Sequence, residues 1–268
     1  MDQFSLICRD IKSVKIQGAT NIVKAGLKAY SLKPTKSSIT KLISLRPTEP
    51  ALQNALKFAE KSSVENAINH FSNAQQFINY YSLKIISNNS KIMTHCHSNT
   101  IEQALVSAHK SGKKFSIMNL EARPLMQGHI TAKRLSKQGI PVTLSVDSSM
   151  DSLIEKCDFI ILGADAVIKK GVINKVGSRA ISELAYSHKK PVYILTDSWK
   201  FSKSQVPIEQ RDKREVWKNA PSKIKINNPS FELIGSKYIT KIISELGILS
   251  HKDFMSEASK TIGCYSSR

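Results

Sequence analysis

The spacing of apolar positions divides the chain into two parts. In the first third, apolar residues recur every three or four positions, as in Asn21–Leu32 and Pro50–Tyr81, which is typical of helices that bury one face. The Lys33-Pro34 and Arg46-Pro47 steps end or interrupt these helices. The pattern therefore predicts a helical amino-terminal domain over residues 1–88.

Short, nearly continuous apolar runs begin near residue 90 and alternate with helical segments. The predicted strands are Lys91–His97, Phe115–Leu120, Val142–Val146, Phe159–Leu162 and Val192–Leu195. The predicted helices between them are Asn99–Ser111, Pro124–Lys137 and Gly177–His188. This alternation predicts an α/β fold, in which the helical domain is followed by a Rossmann-like parallel-sheet domain over residues 89–268. Such sheets bind ligands at the carboxyl ends of their strands.

Two later segments break the alternation. Residues 201–225 are rich in Ser and Lys, and we expect them to run over the surface, where they cover the site or contact a partner. Residues 231–247 end in a glycine and are predicted to form the final helix.

The charge of the chain first suggests an anionic partner. Its 268 residues include 40 Lys and Arg against 21 Asp and Glu, a formal net charge of +19. Residues 1–50, 51–199 and 200–268 carry +6, +7 and +6, so there is no basic tail. Aromatic residues make up only 7% of the chain, and no nucleic-acid-binding motif is present. The even distribution favours a lysine-rich surface over nucleic-acid binding.

The sequence also disfavours membrane, disulfide-rich, zinc-ribbon and secreted proteins. No apolar run approaches the roughly 18 residues that span a bilayer. The four cysteines lie far apart and form no CxxC pair, which argues against a disulfide framework and a zinc ribbon. An acidic residue stands near the start, where a secretory signal carries basic ones, so we expect a cytoplasmic protein without a membrane partner.

Cys96 lies where the first predicted strand meets a helix. The amino terminus of a helix binds phosphate and lowers the pKa of a nearby thiol. Cys96 is therefore either a reactive thiolate or a small buried apolar residue, and the local sequence leaves both open. Strand alternation turns His95 and His97 away from Cys96, and no second ligand cluster is evident in the sequence. We expect two packed or solvated histidines and no metal.

Asp165 follows the apolar run Phe159–Leu162. A carboxyl group at the mouth of a buried strand has a raised pKa and suits general acid–base chemistry. The competing interpretation is a helix N-cap or a turn residue. Asp147 occupies the equivalent end of the preceding strand, and we expect it to cap a helix.

Several other residues suit an anionic ligand. Gly171–Ser178 combines glycines, an amide and an ammonium before a helix, which predicts an anion cradle of non-standard spacing. Arg46-Pro47 and Arg123-Pro124 offer guanidinium donors for phosphate. Together with Cys96 and Asp165, they predict a polyanion site that contains proton-transfer groups.

Six ordered motifs resemble those of one family. They are THCHSN (94–99), EARPLMQG (121–128), VDSSM (146–150), GADAV (163–167), GVINKVGS (171–178) and TDSWKF (196–201). The set resembles the family that unites archaeal ribose-1,5-bisphosphate isomerases, methylthioribose-1-phosphate isomerases and the alpha, beta and delta subunits of translation initiation factor 2B. The resemblance covers nearly the whole chain and implies a helical domain followed by a Rossmann-like domain.

Within that family the resemblance favours an enzyme. The isomerases use a cysteine in the THC motif and an aspartate in the GAD motif, and this chain has both as Cys96 and Asp165. Its length and the EARPLMQG motif are closest to the ribose-1,5-bisphosphate isomerases. The implied reaction converts α-ribose-1,5-bisphosphate to ribulose-1,5-bisphosphate, with Asp165 assisting ring opening and Cys96 handling the hydrogen at C2. No metal or nicotinamide cofactor is implied.

The resemblance also implies a set of binding residues for the two phosphates. These are Gly18, Ala19, Arg46, Ser98, Arg123, Gln127, Asn174 and Lys175, with Lys200 near the mouth of the site. One position departs from the family, because Gln17 stands where the isomerases usually have arginine. The loss of a charge-assisted contact leaves the identity of the sugar phosphate open.

Two alternatives and one assembly follow from the same resemblance. One alternative is a non-enzymatic regulatory subunit that binds a sugar phosphate or nucleotide and has initiation factor two as partner. The other is a methylthioribose-1-phosphate isomerase. The family further implies a homo-oligomer, either a dimer or a hexamer.

Overall fold

The amino-terminal part of the chain is helical, as the apolar spacing predicts. The structure is a computed structural model that describes residues 2–16 and 18–266. Its first helices are α1 (Gln3–Lys12), α2 (Ala19–Leu32), α3 (Lys36–Leu45), α4 (Pro50–Lys61) and α5 (Val64–Ile85). The predicted stretch Pro50–Tyr81 is two helices, because the chain turns at Ser62 and the Ser63 hydroxyl accepts the Asn66 N–H as the N-cap of α5.

The second part of the chain alternates strands with helices. The strands are β1 (Ser90–His95), β2 (Phe115–Leu120), β3 (Val142–Ser145), β4 (Phe159–Leu162), β5 (Ala166–Ile168), β6 (Gly171–Lys175), β7 (Val192–Leu195), β8 (Phe231–Gly235), β9 (Lys241–Ser244) and β10 (Gly247–Leu249). The helices are α6 (Asn99–Lys110), α7 (Gln127–Lys137), α8 (Met150–Lys156), α9 (Ser178–Ser187) and α10 (His251–Ser266). All five predicted strands are present, with bounds within two residues of the prediction.

Seven strands form one sheet in the order β10-β9-β7-β4-β1-β2-β3, and only the β9–β10 pair is antiparallel. Neighbouring residues of its central strands belong to different hydrophobic clusters. Ile92 and Ile161 lie in one cluster, whereas Met93 and Ile160 lie in the other. Because side chains alternate along a strand, both faces of the sheet are covered, as predicted for an α/β fold.

The division into two domains stays a prediction. The change from helices to strands falls between Ile85 and Ser90, near the proposed boundary. One continuous hydrophobic cluster nevertheless includes Leu52 of the helical part together with Ile160 and Trp199 of the sheet part.

The predicted final helix over residues 231–247 is wrong. The segment forms β8, a short 3₁₀ helix (Ser236–Tyr238), β9 and β10, and the last helix is α10. Strand β8 pairs with β6, which also pairs with β5, in a second, antiparallel sheet. Strand β9 is the parallel neighbour of β7 and buries Ile242 and Ile243. Pairing with these distant strands overrides the local pattern, which fits a short helix equally well.

The connection from β7 to β8 is long and irregular, as predicted for residues 201–225. It contains a short 3₁₀ helix at Lys213–Glu215 and passes over the carboxyl ends of the central strands. Among the described residues, no helix combines the length and the apolar character needed to cross a membrane.

Candidate active site

A cavity of about 290 Å³ opens at the carboxyl ends of the central strands. It brings together residues from α2, the α3–α4 turn, α6, α7, β6 and the segment after β7. The predicted residues that line it are Gly18, Ala19, Arg46, Cys96, Ser98, Gln127, Asp165, Asn174, Lys175 and Lys200. Residues separated by most of the chain therefore share one small volume.

Cys96 directly follows β1, and its thiol donates a hydrogen bond to Gln127 Oε1 at 3.4 Å. Burial raises the pKa of Cys96 to about 11, and the nearby Lys175 ammonium offsets only part of that rise. Of the two interpretations that the sequence leaves open, this burial favours the protonated thiol over the thiolate. The thiol is neutral near pH 7.

The two neighbouring histidines are packed residues. His95 ends β1 and donates from Nε2 to the Val176 carbonyl oxygen at 2.8 Å, while His97 Nδ1 lies 3.0 Å from Thr131 Oγ1. Burial lowers the pKa of both rings below its usual range. The strand stops before residue 96, so strand alternation does not extend to His97, and both rings line the cavity beside Cys96. Within residues 2–16 and 18–266, no group of three or more His, Cys, Asp or Glu side chains is arranged to hold a metal ion.

Asp165 lies in the connection between β4 and β5, so it caps no helix. Its N–H donates to the Ile173 carbonyl oxygen at 2.8 Å, which leaves the carboxyl group at the cavity. Burial raises the pKa of Asp165, and the cations Lys200 and Arg46 offset part of the rise. A carboxyl group whose pKa is raised is better suited to give a proton to a ligand oxygen than an ordinary aspartate is.

Asp147 and Arg123 differ from their expected roles. The carboxylate of Asp147 accepts the N–H groups of Ala122 at 2.9 Å and Arg123 at 2.7 Å, so it fixes the loop after β2 and does not cap a helix. The exposed guanidinium of Arg123 donates to the Val216 carbonyl oxygen at 3.2 Å. Arg123 is not among the residues that line the cavity, so this geometry does not support its predicted role as a phosphate ligand, which stays a prediction.

Three cations of the site are nearly buried: Arg46, Lys175 and Lys200 are 6%, 7% and 5% exposed. Neither lysine forms a salt bridge within the described chain. The Nε and Nη1 atoms of Arg46 have no hydrogen-bond partner among the described residues. Buried cations are costly unless paired, so this concentration of unused donors suits a polyanionic ligand.

The anion cradle predicted over Gly171–Ser178 forms differently. The N–H groups of Gly177 and Arg179, at the start of α9, donate to the Glu232 carboxylate at 2.6 and 2.8 Å. A side chain of the protein therefore occupies this helix terminus. Asn174 and Lys175 contribute to the cavity from β6 instead.

The amino termini of two other helices border the cavity. Gly18, at φ 83°, precedes the first residue of α2, Ala19, and both line the site. Ser98 is the N-cap of α6, where its hydroxyl accepts the Ile101 N–H. These termini supply the partial positive charge that favours phosphate. Gln17 lies outside the described residues.

Sequence reasoning missed several charged residues of the lining: Glu49, Arg134, Glu209, Arg211 and Glu215. Glu49 had a signal, because it belongs to the same Arg-Pro-Thr-Glu turn as Arg46. Arg134 pairs with Glu102 at 3.1 Å on the outer part of the site. The others lie in the irregular segment after β7, where no periodic pattern indicates which side chains turn inward.

The chain is similar in sequence to known isomerases, and its fold is similar to those of an initiation factor and an isomerase. The chain is 34% identical over 287 residues to the ribose 1,5-bisphosphate isomerase of Methanocaldococcus jannaschii, a match that covers 93% of this chain and 92% of the relative. It is 31% identical to the enzyme of the same name from Archaeoglobus fulgidus, over 93% of this chain and 90% of the relative.

Solved structures share the fold. The Pyrococcus horikoshii translation initiation factor eIF-2B gives a TM-score of 0.84 at 23% identity, over 93% of this chain and 98% of the other. The 5-methylthioribose 1-phosphate isomerase of the same organism gives 0.74 at 22% identity, over 96% and 88%. The sequence pattern of the initiation factor 2 subunit family matches residues 28–251, and the chain therefore belongs to that family.

Proposed function

We propose that this protein is an aldose–ketose isomerase that converts α-ribose-1,5-bisphosphate to ribulose-1,5-bisphosphate. The observation that carries the proposal is that Cys96 and Asp165 line one cavity with the buried Lys175 and Lys200, which form no salt bridge among the described residues. The relatives named ribose 1,5-bisphosphate isomerase, which match over most of the chain, support the same substrate.

The reaction requires two hydrogen movements, and the site offers one group for each. Opening the ring breaks the bond from C1 to the ring oxygen and adds a hydrogen to that oxygen, while formation of the ketone removes a hydrogen from the C2 hydroxyl. Asp165, whose pKa is raised by burial, gives the first and accepts the second. Another hydrogen moves from C2 to C1, and we assign this movement to Cys96.

The cations select and hold the substrate in this proposal. Arg46, Lys175 and Lys200 offset the negative charge of the phosphates, and the Lys175 ammonium also favours the thiolate form of Cys96. No group beyond the chain's own side chains is assigned a role.

Turnover by purified protein tests the proposal. We expect ribulose-1,5-bisphosphate to form from α-ribose-1,5-bisphosphate, and Cys96→Ser or Asp165→Asn to abolish its formation without a change in the circular dichroism spectrum. Parallel assays with methylthioribose-1-phosphate separate the two isomerase activities. Absence of turnover with both sugars, together with tight binding to initiation factor two that survives Cys96→Ser, would instead identify a regulatory subunit.

We further propose that the chain forms a homo-oligomer. The eIF2B-beta2-delta2 complex of C. thermophilum, whose fold this chain shares at a TM-score of 0.76, is a tetramer, and that assembly supports the proposal. Light scattering that finds a single species of 29.8 kDa contradicts it. The cytoplasmic location stays a prediction.

A further inference from the structure

Glu49 is a buried carboxyl group of the cavity that the proposed reaction leaves without a role. It is 3% exposed and occupies the N-cap position of α4, where a side-chain oxygen can accept a hydrogen bond from a backbone N–H of the first turn. The Glu49 side chain forms no such bond and lines the cavity instead.

The two oxygens of Glu49 have different surroundings. Oε1 accepts a hydrogen bond from Arg46 Nη2 at 3.3 Å, whereas Oε2 is buried and has no hydrogen-bond partner among the described residues. Arg46 does not need this carboxyl group for neutralisation, because Glu209 Oε2 lies closer to the same nitrogen, at 3.0 Å. An ion pair with Arg46 therefore accounts for the position of Oε1, but it does not account for the burial of Oε2 without a hydrogen-bond partner.

The charges that act on Glu49 come from every element around it. Arg46 lies in its own turn, Asp165 follows β4, Lys200 follows β7, and Glu209 belongs to the covering segment. Burial and the neighbouring Asp165 raise the pKa of Glu49 to about 8. If Glu49 and Asp165 were both ionised, these two carboxyl groups would oppose an anionic ligand.

We propose that Glu49 is a further substrate-binding residue, whose Oε2–H donates a hydrogen bond to an oxygen of the sugar phosphate in the cavity. The inference rests on the proposed function and adds a neutral donor to its cationic ligands. Binding of the phosphate dianions strengthens the hold of Glu49 on its proton, because negative charge nearby disfavours a second carboxylate.

Proton uptake during binding tests the inference. Titration calorimetry of α-ribose-1,5-bisphosphate into the Cys96→Ser protein, in buffers of different ionisation enthalpy, is expected to show fractional proton uptake above about pH 8, where Glu49 is partly ionised beforehand. The Cys96→Ser/Glu49→Gln protein keeps an N–H donor at the position of Oε2 and loses the uptake. Its affinity also becomes nearly constant between about pH 7 and 9, whereas the parent loses up to tenfold per pH unit.

Glu209→Gln in the same background is the matched control, because Glu209 contacts the same Arg46 nitrogen and is expected to retain the uptake. Equal uptake with and without Glu49 overturns the inference and leaves the proposed function intact. If α-ribose-1,5-bisphosphate is neither bound nor turned over, both the inference on Glu49 and the proposed function are wrong. If the Glu49→Gln protein does not fold, the pH dependence of the affinity of the Cys96→Ser protein tests the inference. An affinity that does not change across this pH range contradicts the role of Glu49.

Discussion

Two walls of the cavity hold a buried cation by different means. On one wall, Arg46 lies in the α3–α4 turn between two carboxyl groups, those of Glu49 and Glu209. On the other wall, Lys200 ends a short 3₁₀ helix (Ser198–Lys200) and forms no salt bridge within the described chain. Charge positions Arg46, whereas packing of the neighbouring residue positions Lys200.

Packing around Trp199 fixes the second wall. The indole is fully buried and lies against three rings, those of His70, Phe58 and Phe71. The His70 ring is stacked on it at a centroid distance of 3.8 Å. Asn54 Nδ2 donates to the Trp199 carbonyl oxygen at 2.7 Å, and both oxygens of Glu245 accept the Ser198 N–H. Substitutions in this wall should therefore affect folding before binding, and those in the Arg46 wall binding before folding.

The largest expected effect is that of Trp199→Ala on stability. Removal of a fully buried indole leaves a cavity among rings that cannot close it, which costs about 3–5 kcal/mol. Urea denaturation measures this loss. Trp217→Ala is the matched control, because the other tryptophan of the chain is 50% exposed and its removal should change stability by no more than about 0.5 kcal/mol. Equal losses in the two variants would show that packing does not determine the Lys200 wall.

The next effect is that of Arg46→Lys on turnover. Lysine keeps the positive charge and loses the planar fork, so the unpartnered donors Nε and Nη1 disappear. Hydrogen bonds to charged groups contribute about 1.5–3 kcal/mol, and kcat/KM should therefore fall by roughly 10- to 150-fold with little change in stability. Arg123→Lys is the control, because Arg123 is exposed outside the cavity and should retain full activity. A comparable loss in Arg123→Lys would support its predicted role as a phosphate ligand.

The sequence was sufficient to predict the central sheet and the residues at the ends of its strands, but not the second sheet. The apolar runs predicted the central strands because those strands are buried on both faces, and the polar residues at their ends, such as Cys96 and Asp165, follow from that topology. The antiparallel sheet of β5, β6 and β8 was missed, since its strands are short and their pairing depends on residues far apart in the chain.

Individual side-chain roles were harder to predict than strands. The pKa of Cys96 depends on burial by the rest of the fold, which no local pattern contains, so the sequence left both a thiolate and a buried thiol open. Arg123 shares its Arg-Pro motif with Arg46 but points to Val216, because Asp147 fixes the preceding backbone. Similar local sequences therefore lead to opposite positions relative to the cavity.

Each wall also contains a carboxyl group whose pKa is raised, Glu49 in one and Glu245 in the other, which gives the stability of the fold a pH dependence. Burial raises the pKa of Glu49 to about 8 and that of Glu245 to about 7, from the ordinary value of 4.5. Between the ordinary and the raised pKa, the folded chain keeps a proton that the unfolded chain releases. Stability therefore falls as pH rises through this window, by at most about 1.4 kcal/mol per pH unit and group.

Replacement of each carboxyl group by an amide separates the two contributions. Glu245→Gln should remove only its own share of the decline, between about pH 4.5 and 7, and Glu49→Gln should remove a share that extends from about pH 4.5 to 8. Denaturant titrations at intervals of about one pH unit measure these slopes. A slope in either variant that matches the unmodified protein would mean that the corresponding carboxyl group is ionised in the folded chain.

The smallest effect, that of Lys200→Met, distinguishes the walls most directly. Lys200 is 5% exposed without a salt bridge in the described chain, so the fold carries the cost of a buried ammonium. Methionine has a similar length and no charge, and we expect it to raise the free energy of unfolding by about 1 kcal/mol while kcat/KM falls at least roughly tenfold. Lys203→Met, at an exposed position of the same segment, should change neither quantity. Destabilisation by Lys200→Met would mean that Asp165 compensates the ammonium, as Glu209 does for Arg46, and both walls would then depend on charge.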